Sequence, residues 1–214
     1  LFVAITLGIL RAMMAVGTTT SLTAGANDIT LTNAGNSFGA AITVVSGNNV
    51  SLNDTGALSI ASAAVAANFT LTAGGAVDLG PSTVGGALSV TTTGAITDSG
   101  ALAVTGTTSL SPGAGNSVTL DTATNNFGGA VGVANGLNVT LVDTNALVLG
   151  TISITGALSV SSGGALTDIG VLSIGTTTSL TAGANDITLD SANNFGGAVT
   201  VVSGNNVSLN DTGA

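Results

Sequence analysis

Asp186 and Asp190 flank the tripeptide Ile187–Leu189, and two carboxylates so near in sequence are the pairing that glycoside hydrolysis uses as acid and base. A polysaccharide-acting β-helix is therefore one reading of the chain. Its weakness lies in a second copy of the same block: Asp28 matches Asp186, but Thr32 stands where Asp190 would be. A device that is not repeated reads better as solvated turn or ladder positions. Asp54, Asp143 and Asp211 sit beside Asn and Gly, and they offer hard oxygen ligands for incidental calcium. The glycine-rich calcium-roll motif is missing, although Gly74–Gly80 (GGAVDLG) comes distantly near. The stretch Pro112–Ser117 (PGAGNS) has the glycines of a phosphate loop without its Lys or following helix, and reads as a turn.

Nucleophilic chemistry lacks a base. Ser and Thr are abundant, but the chain contains no His, Lys or Cys, so a hydroxyl nucleophile has no activating partner and zinc no usual ligand. The expectation is a non-enzyme with no catalytic, cofactor-binding or metal-site residues. N-x-S/T triplets begin at Asn49, Asn53, Asn68, Asn138, Asn206 and Asn210. In a chain this rich in Asn and Thr they arise by composition and matter only in a host that glycosylates.

The alphabet is narrow in other ways. Among 214 residues Arg11 is the only cation and all ten acidic residues are Asp, for a net charge of −9. Phosphate neutralisation is out of reach, which excludes nucleic acid as a main partner and disfavours an anionic membrane surface. Charged residues are 5% and apolar ones 44%, a balance that predicts a buried core rather than disorder. No apolar run reaches the length of a spanning helix. The nearest, Leu1–Gly17, is broken by Arg11. A leftover signal-peptide core is one reading of it, but Met14–Leu22 (MAVGTTTSL) aligns with Leu172–Leu180 (LSIGTTTSL), which favours an atypical N-terminal rung or cap.

The elements that would position any site are repeats. Gly17–Leu31 returns unchanged at Gly175–Leu189, Thr43–Ala57 returns at Thr200–Ala214, and a diverged copy occupies Gly106–Gly150. Phe38, Phe127 and Phe195 mark the same N-x-F-G position in each, giving super-repeats that start near residues 17, 106 and 175. Breaks at Gly turns divide residues 18–214 into units of about 20 residues, with those containing the Phe nearer 30, a period typical of stacked arrays. Inside them, apolar and hydroxyl residues alternate: Ile29/Leu31, Ile42/Val44, Phe69/Leu71, Leu88/Val90, Val118/Leu120, Leu172/Ile174. Period two predicts half-buried strands, apolar side inward. Gly, Asn and Asp between them supply tight turns.

One such unit buries too little apolar surface to offset the entropy of ordering it, so units must stack. Like residues then lie over like, and few charges can be tolerated. The predicted fold is all-β: a right-handed parallel β-helix, or β-solenoid, of about 20–30-residue rungs with essentially no helix, eight to nine rungs in a single array. A membrane β-barrel would need aromatic girdles, and aromatic residues are 2%.

The texture of Gly86–Gly106 (GALSVTTTGAITDSGALAVTG), with rungs such as NNVSLNDTGAL, resembles the repeat region of filamentous-haemagglutinin-type adhesins and related giant bacterial β-strand-repeat surface proteins. The resemblance covers nearly everything after Gly17 and carries over no binding residue. It implies an extracellular or cell-surface location, with two-partner secretion as a further implication. The function expected is a non-catalytic structural or adhesive segment forming a fibrous stalk, with self-association end to end and a host-cell or glycan receptor as partners. The alternative is a subunit of a self-assembling extracellular filament or sheath. An ice-binding solenoid is less favoured, because the Thr clusters (Thr18–Thr20, Thr107–Thr108, Thr176–Thr178) do not recur on every rung. The chain starts without Met and stops at the last letter of a repeated block, which reads as a window on a longer array.

Overall fold

A computed structural model describes residues 13–213; the expectation for the N-terminal segment therefore lies outside the described residues over 1–12. The described chain is all strand and turn, wound into a parallel β-solenoid of about 10 turns. Its strands form a 13-stranded and an 11-stranded sheet, with a 2-stranded pair of Ala15–Val16 and Ser37–Phe38. At the strand spacing of a sheet the stack is roughly 48 Å long.

Short strands follow from the sequence. Most alternating runs last three to six residues, enough to cross one side of a coil, while Leu58–Val65, Leu147–Ile154 and Ile187–Phe195 run on over a corner into a second side. Ile29 pairs with Val50, Val50 with Phe69 and Phe69 with Leu88, steps of 21, 19 and 19 residues, all parallel. Another column runs Val77, Ile96, Val118, Val139, Leu158, Thr178, Val199. The inward residues anticipated from the alternation are in the core: Ile29, Ile42, Phe69, Leu88, Val118 and Leu172 are at most 3% exposed. Outward, the same registers align hydroxyls, as in Thr30–Ser51–Thr70–Ser89.

Turn length stays near 20 residues even where the sequence units reach 30. Thr20 pairs with Ile42 and Thr108 with Val131, steps of 22 and 23. The two or three residues beyond 20 go into outward loops, and the rest of each long unit belongs to the next turn. One such loop begins at Ala24, where Gly25 adopts φ 59°, and its copy has Gly183 at φ 58°; both lie in the left-handed region that glycine enters without strain. The units near 30 residues thus span more than one turn, which is why about 10 turns form where Gly breaks suggest eight or nine.

Val16 pairs with Phe38 as Ile174 pairs with Phe195, so the aligned blocks at Met14 and Leu172 hold the same rung position. At the far end the geometry changes. Val201, Val207 and Leu209 are 37%, 43% and 38% exposed, because no described turn covers them.

Candidate functional site

Three super-repeats build one device at the N-x-F motif. Asn36, Asn125 and Asn193 are buried. Their side-chain carbonyls accept the backbone N–H of a residue one turn earlier: Met14 at 2.9 Å, Leu102 at 2.8 Å and Leu172 at 2.9 Å. The amide nitrogens donate to Leu31 O at 3.0 Å in the first copy, and to Asp98 Oδ2 and Asp168 Oδ2, both at 2.7 Å, in the others. A buried amide is tolerated only when both ends are satisfied.

The following Phe links to the next turn. Phe38, Phe127 and Phe195 donate their backbone N–H to Asp54 Oδ2 (2.9 Å), Asp143 Oδ2 (2.9 Å) and Asp211 Oδ1 (3.2 Å). Each Asp also closes its own turn by accepting the N–H two residues on, from Gly56, Asn145 and Gly213. Backbone bonds from Thr55, Thr144 and Thr212 to the carbonyls of Asn36, Asn125 and Asn193 complete the clasp. Three successive turns are tied together by one Asn and one Asp. These are the carboxylates that the sequence offers as calcium ligands; Asp54 and Asp143 instead point inward and spend both oxygens on backbone N–H groups. Burial pushes the Asp143 carboxyl above its ordinary value, against the opposing pull of the Asn145 and Phe127 N–H bonds.

A second column stands in the open. Asp28 Oδ1 accepts Asn49 N (2.9 Å), Asn48 Nδ2 (2.8 Å) and Asn49 Nδ2 (3.0 Å) from the next turn. Asn49 Oδ1 accepts Asn68 Nδ2 at 3.1 Å, and Asn68 Oδ1 accepts Ala87 N at 2.9 Å. Asp186 repeats the arrangement with Asn205 and Asn206. The backbone N–H of Asn49, then the amides of Asn48 and Asn49, hold the Asp28 carboxyl below the ordinary carboxylate value, and the matching Asn206 and Asn205 groups do so for Asp186.

The Asp186/Asp190 pair does not converge. Ile187–Phe195 is an extended strand, so four residues place the two about 13 Å apart along it. Asp186 serves Asn205 and Asn206, while the Asp190 N–H donates to Asp168 Oδ1 at 3.0 Å. Asp168 and its counterpart Asp98 were not singled out by sequence reasoning. Each accepts two successive backbone N–H groups and the buried Asn amide, and the signal was their shared local setting, AITDSG at residues 95–100 and ALTDIG at residues 165–170. Pro112–Ser117 is a turn, with Asn116 Nδ2 donating to Thr93 O and Pro112 O. The last Thr of each cluster (Thr20, Thr108, Thr178) is buried with a hydroxyl that finds no partner.

The repetition of one clasp and one Asn column agrees with the comparison to protein families. The model of a family described as repeats of unknown function (DUF5649) matches residues 4–45, 66–134 and 136–202. The chain belongs to this family. Residue 135, between two of the matched DUF5649 segments, is Asn135, which among the described residues is the non-glycine residue with positive φ (58°). No curated protein and no solved structure matches the chain.

Proposed function

We propose that this DUF5649 repeat chain is a non-catalytic spacer in a large secreted cell-surface protein, a stalk of the kind its rungs resemble in filamentous-haemagglutinin-type adhesins. The observation that carries the reading is the clasp. Side chains that could have done chemistry are spent on tying turn to turn: Asp54, Asp98, Asp143 and Asp168 all accept backbone N–H groups from neighbouring turns. A solenoid so built holds its two ends a fixed distance apart, which is what a stalk requires. Contact with a host-cell or glycan receptor is then the task of the outward loops or of regions that the stalk presents.

The test is placement. Antibody against this chain should label intact source cells on the outside, at a distance from the envelope. Labelling that appears only after lysis overturns the reading. A second reading, the subunit of a self-assembling extracellular filament or sheath, draws on apolar side chains exposed along the outside of the stack, Val45 at 52% and Ile169 at 74%. Regular fibres grown from the purified chain would favour it.

A further inference from the structure

The corner at Ala134–Leu137 is built differently from its counterparts. In the first and third super-repeats the corner is Ser46–Gly47 or Ser203–Gly204. Each Ser hydroxyl there is tied to a neighbouring loop, accepting the N–H of Gly25 at 3.0 Å or of Gly183 at 2.9 Å. In the second super-repeat Asn135 stands in place of the Ser, followed by Gly136, and no described residue bonds its amide. The side chain is exposed. Its backbone is less constrained as well. Ala134 pairs with Ser153 and Gly136 with Ile154, so Asn135 is the extra residue of a β-bulge and has no opposite number in the ladder.

Packing imposes both letters of this pair. The φ of 58° at Asn135 lies in the left-handed region, which Asn enters more readily than most residues that carry a side chain. A Cβ at Gly136 would meet Ile154 Cγ2 at 3.2 Å and Val133 Cγ1 at 3.4 Å, so glycine belongs there. The chain contains no other Asn-Gly. Elsewhere the amide is tied and a bulkier residue follows: Asn36, Asn68, Asn125 and Asn193 all donate hydrogen bonds, and Ser, Phe, Asn and Asn come next.

We infer that Asn135 is a site of spontaneous covalent modification, deamidation through a succinimide. The peptide nitrogen of Gly136, with no side chain beside it, attacks Asn135 Cγ. The new N–Cγ bond forms as Cγ–Nδ2 breaks, and the side-chain nitrogen leaves as ammonia with the peptide proton. Water then opens the five-membered ring. Cleavage at Cγ leaves aspartate, and cleavage at the backbone carbonyl carbon leaves isoaspartate, whose main chain runs through the former side chain. One water is consumed, one ammonia is released, and nothing is oxidised or reduced. Ring closure needs the peptide to rotate, which a residue outside the ladder can do without opening the whole turn. Isoaspartate lengthens the backbone at a corner gripped from both sides, where Leu137 N donates to Asn116 O at 2.7 Å and Thr155 N to Gly136 O at 3.1 Å. The corner therefore loosens with age. None of this depends on where the protein acts, so it can fail while the spacer reading stands.

To test it, the folded full chain is held in mildly alkaline buffer and sampled over weeks, with a parallel sample in urea. Peptides are weighed, and isoaspartate is measured with isoaspartyl methyltransferase. In the folded chain the peptide holding Asn135 is expected to exchange its amide for a carboxyl at least on the order of tenfold faster than those holding Asn36, Asn125 or Asn193, whose amides open only with the surrounding turns. Gly136→Ala should abolish the conversion with the amide still in place. Asn135→Ser, the residue that the other copies use at this corner, should remove the isoaspartate signal and keep the fold. A folded chain that leaves Asn135 intact overturns the inference, and conversion of the same residue in urea would place the cause in the coil. Equal conversion at the other three, or a Gly136→Ala chain that converts like the parent, overturns it as well.

Discussion

The backbone N–H of Phe127 reaches Asp143 Oδ2 at 2.9 Å across the boundary between two turns, sixteen residues apart in sequence. The same bond joins Phe38 to Asp54 and Phe195 to Asp211. A carboxylate turned into the stack is costly to desolvate, and it persists here because each oxygen has a donor.

Removing that carboxylate should expose the cost. In Asp143→Ala the N–H groups of Phe127 and Asn145 lose their acceptor, with a loss of about 1–3 kcal/mol expected from an unmade buried bond. Urea denaturation followed by circular dichroism reads it. Asp121→Ala, on an exposed side chain, is the control and should leave the midpoint within about 0.5 kcal/mol of the parent.

Thr20, Thr108 and Thr178 predict a gain. Their buried hydroxyls have no partner, and Val keeps the shape without the polar atom. Thr108→Val and Thr178→Val should each stabilise by about 1 kcal/mol, and the double variant by nearly the sum, since the sites are several turns apart. Unchanged or lower denaturation midpoints would mean that the hydroxyls do bond in solution.

Glycine at a corner separates close approach from backbone conformation. A side chain at Gly163 would run into the carbonyl of Thr144 on the turn below, so Gly163→Ala forces the coils apart and should cost about 1–3 kcal/mol. At Gly25 nothing stands in the way but φ is 59°, and Gly25→Ala should cost about 1–2 kcal/mol, the price of a left-handed conformation alone. Protease accessibility of the nearby turns distinguishes the two, rising in the first variant and not in the second.

The acid response follows from Asp28 and Asp186. Both have folded-state values lowered below the ordinary 3.8 by hydrogen bonds from the next turn. Their contribution is thus present above that value and is lost as pH falls through the lower, folded one. Asp143, raised by burial, acts oppositely: it weakens the fold at neutral pH, and protonation relieves it. Thermal melts between pH 5 and pH 2 should fall in the parent, and fall less steeply in the Asp28→Asn, Asp186→Asn double variant. Parallel curves would remove these two groups from the account.

Much of this was legible in the residues. Alternation at Ile29/Leu31 or Leu88/Val90 states which side is buried, and repeated blocks state that neighbours are alike, which together force parallel stacking. The turn length was not, because a long unit such as residues 18–47 closes its turn after 22 residues and runs on into the next, and letters do not say where a coil closes. The inward turn of Asp54 and Asp143 was hidden too. Alone, an Asp beside Asn and Gly looks solvated; only the N-x-F sixteen residues earlier supplies donors that can hold it inside. Thr20, Thr108 and Thr178 sit in phase with the core, but a hydroxyl in a Thr-rich run reads as surface.

Every pairing between turns is parallel, so the sheet bonds lie along the length of the stack. Tension applied between the two ends would load those bonds in series rather than all at once. The coil should peel open one loop after another at a low, nearly constant force, each loop paying out some twenty residues of slack. Under compression the same columns bear on one another. A strut when pushed and a slowly yielding tether when pulled, the molecule would absorb a sudden jerk by lengthening.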